Sequence, residues 1–172
     1  DGILLQLPIP KNLNEREIIE FIDPTKDVDG LTSENIGFLN SGNPRFIPAT
    51  PFGIMEIFRR AGINLPSKKV VIIGRSNIVG RPLFALMSGR GKNSNSTVTL
   101  CHSKTKNLSE FTLKADIVIA ATGSINILNG SMIKSNSIII DVGINRINSN
   151  NERGYEIVGD VLWDSIINKV SA

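Results

Sequence analysis

The stretch Lys69-Val70-Val71-Ile72-Ile73-Gly74-Arg75-Ser76-Asn77-Ile78-Val79-Gly80-Arg81-Pro82 constrains this chain more than any other. A run of β-branched residues stops at a glycine. A polar turn follows, and a second glycine opens an apolar helical pattern. This is how a parallel strand hands over to a helix whose N-terminus receives a phosphate. Gly74 would end the strand without a Cβ, so that a ligand or backbone comes close. The N–H groups around Ile78–Gly80 would face a pyrophosphate, and Gly80 would allow tight helix–strand contact. The glycine spacing is not the common G-x-G-x-x-G, and an ordinary βα turn is the competing reading.

The rest of the chain extends the pattern. Strands are expected at Val70–Ile73, Thr97–Cys101, Asp116–Ala121 and Ser137–Val142. Helices are expected at Gly80–Ser88, Leu108–Lys114 and Ser131–Lys134, with a final one at Val161–Val170 capped by Asp160. Such alternation predicts an α/β fold with a doubly wound parallel sheet. Asn145–Gly154 reads as the tip of a hairpin and Tyr155–Val158 as an edge strand. Upstream, Thr50 suits an N-cap and Pro51 the first helical position, with Ile54, Ile57, Phe58 and Ala61 on one face and Gly62 as the stop. Gly2–Leu7 reads as a buried strand closed by Pro8 and Pro10. Asn14 caps a helix over Glu15–Ile22, with Glu17 placed as in a capping box. Lys26–Gly30 is a polar loop with Asp27 and Asp29 expected in solvent, and Ser33–Leu39 is a second short helix. A shift in composition near Thr50 divides the chain into residues 1–50, the remnant of an α/β substrate domain, and residues 51–172, a Rossmann-like cofactor domain.

Composition narrows the partners. Of 172 residues, 41% are hydrophobic and 20% charged, as in a soluble globular protein. No apolar run approaches the ~20 residues that cross a bilayer. The net charge of +3, without a basic block interleaved with aromatics, argues against nucleic acid and suits a site for phosphorylated small molecules. One cysteine, Cys101, leaves no disulfide framework and no cysteine-rich metal site. No metal is expected. Cytoplasmic location is the expectation, with a mitochondrion or plastid as alternatives.

The end of the second strand of the cofactor domain selects the nucleotide. NAD sites carry Asp or Glu there, about 20 residues beyond the glycine turn, to accept from the ribose hydroxyl. Here the strand ends in Cys101-His102-Ser103-Lys104. Arg75, Ser103 and Lys104 offer donors and positive charge to a 2′-phosphate instead, so NADP is the expected cofactor. His102 is placed among the cofactor-lining residues but given no catalytic role, and Cys101 reads as a buried thiol. Thr122 and Gly123 are small residues that leave room for a nicotinamide ribose, although plain tight packing explains them as well. Gly143, followed by Ile144, would let backbone approach the nicotinamide. Asp141 suits a structural hydrogen-bond acceptor.

Eight segments in order resemble the bifunctional methylenetetrahydrofolate dehydrogenase/methenyltetrahydrofolate cyclohydrolase family. They are Gly2–Pro10 (GILLQLPIP), Asp27–Leu31 (DVDGL), Pro48–Gly53 (PATPFG), Gly74–Pro82 (GRSNIVGRP), Val98–Thr105 (VTLCHSKT), Ala115–Gly123 (ADIVIAATG), Asp141–Asn145 (DVGIN) and Val158–Val161 (VGDV). The resemblance implies oxidation of methylenetetrahydrofolate by NADP⁺ and hydrolysis of the methenyl product to 10-formyltetrahydrofolate. By similarity, Gln6 helps hold a catalytic lysine, Asp29 binds the pterin ring, and Pro8 lies at the folate. Ser76, Ile78 and Val79 line the cofactor site, with Thr50 near its nicotinamide end. The family also implies a homodimer. Its catalytic lysine lies in a Tyr-x-x-x-Lys motif upstream of the first matching strand, and this chain is expected to begin too late to contain it. This chain alone is therefore expected to bind NADP and to catalyse neither step. Two other readings compete: a cofactor domain of a shikimate- or amino-acid-type dehydrogenase, and a non-catalytic NADP-binding protein.

Overall fold

Three helices precede the sheet in a computed structural model that describes residues Asp1–Ala172. Helix α1 spans Glu15–Glu20, and the Asn14 side chain accepts from Glu17 N–H at its start while its own amide donates to the Glu17 carboxylate. Helix α2 spans Ser33–Ser41 behind an N-capping Thr32, and Gly42, in the left-handed region, ends it. Helix α3 spans Ala49–Arg60. Its N-cap is Pro48, which makes no side-chain cap bond, so Thr50 is inside the first turn instead of capping it.

The sheet follows. Strand β1 is Lys69–Ile73, then come α4 (Gly80–Ser88), β2 (Thr97–Cys101), α5 (Leu108–Thr112), β3 (Ile117–Ala120) and β4 (Ile138–Asp141). All pairings are parallel, in the order β2-β1-β3-β4. The central strands β1 and β3 bury both faces, because successive side chains point to opposite sides, while the edge strands β2 and β4 are half-buried. Val70, Ile72, Ile117 and Ile119 meet Ile54 and Phe58 of α3 and Leu83 and Met87 of α4. Val71, Ile73, Val118 and Ala120 meet Leu128, Ile133, Val161 and Ile166 on the other side. Ile72, Ile117 and Ile119 are fully buried, each contributing about 1.5–3 kcal/mol of apolar transfer. The chain is thus an α/β protein with a doubly wound parallel sheet.

Three expected elements differ. Gly2–Leu7 is not a buried strand: Ile3 alone forms a bridge, to Asp27, and Ile3 and Leu4 are exposed. A strand needs a neighbour along its length, and this segment finds only the Ile3 N–H to Lys26 carbonyl contact at 2.7 Å. Asn145–Asn148 is strand β5, paired antiparallel with β6 (Tyr155–Val158) as a separate two-stranded ribbon, not an edge of the main sheet. Val161–Val170 holds only a 3₁₀ turn at Trp163–Ser165 and further turns. Asp160 does not cap it, because its carboxylate is bound elsewhere. The C-terminal tail instead follows the edge of β4, through Ser171 N–H to Ser137 carbonyl and Ile139 N–H to Ala172 carbonyl, each at 3.0 Å.

Candidate functional site

A cleft of about 430 Å³ opens at the carboxyl ends of β1, β2 and β3, the edge at which open parallel sheets bind ligands. Gly74, Arg75 and Ser76 form its middle, His102, Ser103 and Thr105 its β2 side, and Thr122 and Ser124 its β3 side. Ile73, Leu108, Ala121 and Ile127 supply apolar wall. Arg75 is the one residue with a permanent charge in this lining, and no carboxylate faces the space. Such a cleft favours an anion.

The turn after β1 is shaped by close backbone contact. Gly74 has φ +118°, and a Cβ there would collide with the Ala121 carbonyl oxygen. A Cβ on Gly80 would collide in turn with the Gly74 carbonyl. Both glycines therefore serve the tight β1–α4–β3 junction. The Ser76 hydroxyl accepts from Val79 N–H at 3.2 Å and Gly80 N–H at 3.4 Å. Two amides expected to face a pyrophosphate are thus turned to a side chain of their own turn, the ordinary way of satisfying free N–H groups at a helix start.

After β2 the chain closes on itself. His102 N–H donates to the Thr105 hydroxyl at 2.9 Å, and His102 Nδ1 accepts from Lys104 N–H at 3.2 Å. With Nδ1 accepting, a neutral ring carries its proton on Nε2. Lys104 is exposed and does not line the cleft. Cys101 beneath the loop is buried, and its thiol is pushed up by that burial, partly offset by a hydrogen bond from Thr105. It is a core residue.

Two carboxylates missing from the site expected from the sequence organise the β3 side. Asp160 is fully buried. Its Oδ2 accepts from Thr122 N–H at 2.6 Å, Thr122 Oγ1–H at 2.9 Å and Gly123 N–H at 3.0 Å, and its Oδ1 from Asn145 Nδ2 at 2.9 Å. Burial pushes this carboxyl up, but the hydrogen bonds outweigh it and hold the group below the usual carboxylate range. Asp141 accepts from Gly143, Asp160 and Val161 N–H groups at 2.9–3.1 Å, the structural role expected of it. A Cβ on Gly143 would strike Asp160, and one on Gly159 would strike the Asp141 carboxylate. Gly143 therefore admits a carboxylate of this chain, which is a different neighbour from the expected nicotinamide. The glycines beside both acids were visible in the sequence, but their pairing across the fold was not.

The remaining expected residues fall outside the cleft lining. Gly123 and Gly143 sit behind it, in the Asp160 cluster, while Ile78, Val79 and Gly80 lie in the turn. Ile144 is 80% exposed. Gln6, Pro8 and Thr50 are exposed, and Gln6 Nε2 donates to the adjacent Leu7 carbonyl at 3.1 Å. Asp29 is half-buried, its carboxyl pushed up by burial and then by nearby Asp27. Asp27, expected in solvent, is buried: it accepts from Leu31 and Thr32 N–H, the Thr32 hydroxyl and Asn35 Nδ2, the last three at 2.8 Å. Burial raises its pKa and these bonds lower it by more, leaving it below the usual range.

Fold and cleft together define a dinucleotide-fold domain of the doubly wound α/β class. The family model for the tetrahydrofolate dehydrogenase/cyclohydrolase NAD(P)-binding domain matches residues 48–172, and that for the catalytic domain matches residues 1–29. The chain belongs to the tetrahydrofolate dehydrogenase/cyclohydrolase family. It is 49% identical over 167 residues to the bifunctional protein FolD of Salinibacter ruber, a match covering 96% of this chain and 56% of that protein. The crystal structure of FolD from Campylobacter jejuni is similar at a TM-score of 0.89 and 44% identity, over 99% of this chain and 57% of that one. The Trypanosoma brucei enzyme, complexed with NADP cofactor and an inhibitor, is similar at a TM-score of 0.90 and 32% identity, over 99% of this chain and 58% of that one. The chain thus spans a little over half the length of the relatives it matches.

Proposed function

We propose that the cleft binds NADP and that the whole protein oxidises 5,10-methylenetetrahydrofolate to the methenyl form and hydrolyses that to 10-formyltetrahydrofolate. One observation carries the cofactor choice. The β2 end presents Ser103 and His102 beside Arg75, with no carboxylate in the lining, where an NAD site needs an acid. Arg75 gives a forked, permanently charged donor set to a 2′-phosphate, and the Ser103 hydroxyl adds a donor. Gly74 and Ser76 form the middle of the cleft, where a pyrophosphate would lie, and Thr122 the nicotinamide side. NADP⁺, when bound, supplies the hydride acceptor.

On the folate side, the reading rests on the family. Asp29, half-buried, would accept two hydrogen bonds from an aminopyrimidine edge. Gln6 would hold the catalytic lysine and Pro8 would touch the folate. Thr50, Ile78, Val79, Gly80, Gly123, Gly143 and Ile144 complete the proposed cofactor surround. Residues 1–50 belong to the folate domain in this scheme and 51–172 to the cofactor domain. A homodimer in the cytoplasm is part of the same proposal.

Calorimetric titration with NADP⁺ and NAD⁺ tests the central point. The unsubstituted chain is expected to prefer NADP⁺, and Arg75→Ala to lose at least about tenfold toward NADP⁺ alone, as a charged hydrogen bond is worth ~1.5–3 kcal/mol. Equal affinity for both nucleotides, or an unchanged preference in the variant, would overturn the assignment. NADPH formation from methylenetetrahydrofolate by the full-length protein tests the reaction.

A further inference from the structure

The segment Thr122–Ser124 forms the β3 side of the cleft without belonging to any strand or helix. Ala121 N–H still pairs with the Ile73 carbonyl of β1 at 2.8 Å. Beyond it, none of three successive amides donates to main chain. Thr122 and Gly123 N–H both go to Asp160 Oδ2, and Ser124 N–H goes to the Thr122 hydroxyl at 3.1 Å, itself a donor to Asp160. The conformation of this wall is therefore set by one carboxylate that does not line the cleft. That carboxylate is fixed from behind. Its residue's N–H is held by Asp141, and its Oδ1 receives Asn145 at the start of β5. Gly143 leaves room for its carboxylate, and Gly159 for that of Asp141.

The strand order β2-β1-β3-β4 gives the cleft a direction. A dinucleotide lying across the strand ends, as in the NADP reading on which this inference rests, has its 2′-phosphate end at Arg75 and Ser103. Its other nucleoside lies at Thr122–Ser124. We propose that Asp160 is a positioning residue that shapes Thr122–Ser124 for the nicotinamide-side nucleoside and leaves the 2′-phosphate side untouched. The conformation depends on Asp160 because isolated loop amides otherwise bond to water, whereas a buried carboxylate accepting several N–H groups holds them in one arrangement.

Two ligands separate the halves of the cleft: NADP⁺ and adenosine 2′,5′-bisphosphate, which lacks the nicotinamide side. In calorimetric titrations of the chain, Asp160→Ala is expected to weaken NADP⁺ at least about tenfold while the bisphosphate stays within about twofold. Asp160→Asn, whose amide oxygen still accepts from Thr122 and Gly123, should fall between the two. Equal weakening of both ligands, as general loosening would give, overturns the inference, and so does unchanged NADP⁺ affinity. If Asp160→Ala does not fold, Asp160→Asn carries the comparison through amide hydrogen exchange. An uncharged acceptor is weaker, so Thr122 and Gly123 should exchange at least about threefold faster with β1 amides unchanged. Unaltered rates at both positions overturn it. If the unsubstituted chain binds neither ligand, the cofactor reading falls and takes this inference with it. If it binds both and only the Asp160 comparison fails, the inference falls alone.

Discussion

At the residue scale, the glycines divide by what stands beside them. A methyl on Gly143 would drive into the Asp160 carboxylate, a buried group with four hydrogen bonds. Gly143→Ala is expected to cost ~1–3 kcal/mol, the usual range for overpacking, read as a lower urea midpoint. Gly53, within α3, has no atom other than those of its chain neighbours and its own helix backbone within 4 Å of an added methyl. Gly53→Ala should therefore stabilise the chain by ~0.5–1 kcal/mol through helix propensity, and the same urea curves compare the two. Side chains already committed to internal bonds were the least legible in the sequence. Asp27 stood among polar neighbours and read as solvated, yet it ties the start of α2 to the loop before it. Arg75, Ser76, His102, Ser103 and Thr122 were legible as cleft residues because a strand end carries them to one edge of a parallel sheet. Asp160 was not, since its partners at Thr122 and Asn145 lie far off in the chain.

At the scale of elements, β1, β3 and β4 were legible as apolar runs bounded by turn residues, and β2, Thr97–Cys101, as an alternating β-branched stretch of a half-buried edge strand. The final helix expected at Val161–Val170 failed for a local reason. Its apolar residues do reach the core, as Val161 and Ile166 show, but the carboxylate that would have capped it is spent on the cleft wall. Periodicity reports burial and says nothing of a cap already in use. Helix α3 follows its period in part: of the face expected at Ile54, Ile57, Phe58 and Ala61, Ile54 and Phe58 are buried, whereas Ile57 is 54% exposed and Ala61, at the helix end, is exposed too. Phe58 on its inner face is 1% exposed, while Phe52 on the same helix is 56% exposed. Phe58→Ala is expected to cost ~3–5 kcal/mol and Phe52→Ala under about 0.5 kcal/mol, measured by equilibrium unfolding. A comparable loss at both would mean that α3 packs by some other face.

At the scale of the whole molecule, carboxylates tie distant segments together, and this sets the response to acid. Asp27, Asp116 and Asp160 each titrate below the ordinary value of 3.8 in the folded state. For Asp116 the leading cause is the hydrogen bond it accepts from the Lys134 ammonium, followed by the one from Lys69 N–H. A carboxyl with a depressed folded pKa contributes stability that is fully present above its unfolded value and is lost as pH falls through the folded one. Asp29, raised by burial, acts in the opposite sense, while Asp23 and Glu56, also depressed by hydrogen bonds, act with the other three. Urea midpoints should therefore be level from pH 7 to about 5 and fall steeply below about 4; a level midpoint down to pH 3 would show that these carboxylates do not hold the fold. The strand order has a separate consequence for biosynthesis. Central β1 pairs on one side with Thr97–Cys101 and on the other with Ile117–Ala120, and both are translated after it. The nascent polypeptide thus leaves the ribosome with the apolar segment Val70–Ile73 lacking either neighbour, an interval in which a holding chaperone would have an unpaired strand to protect.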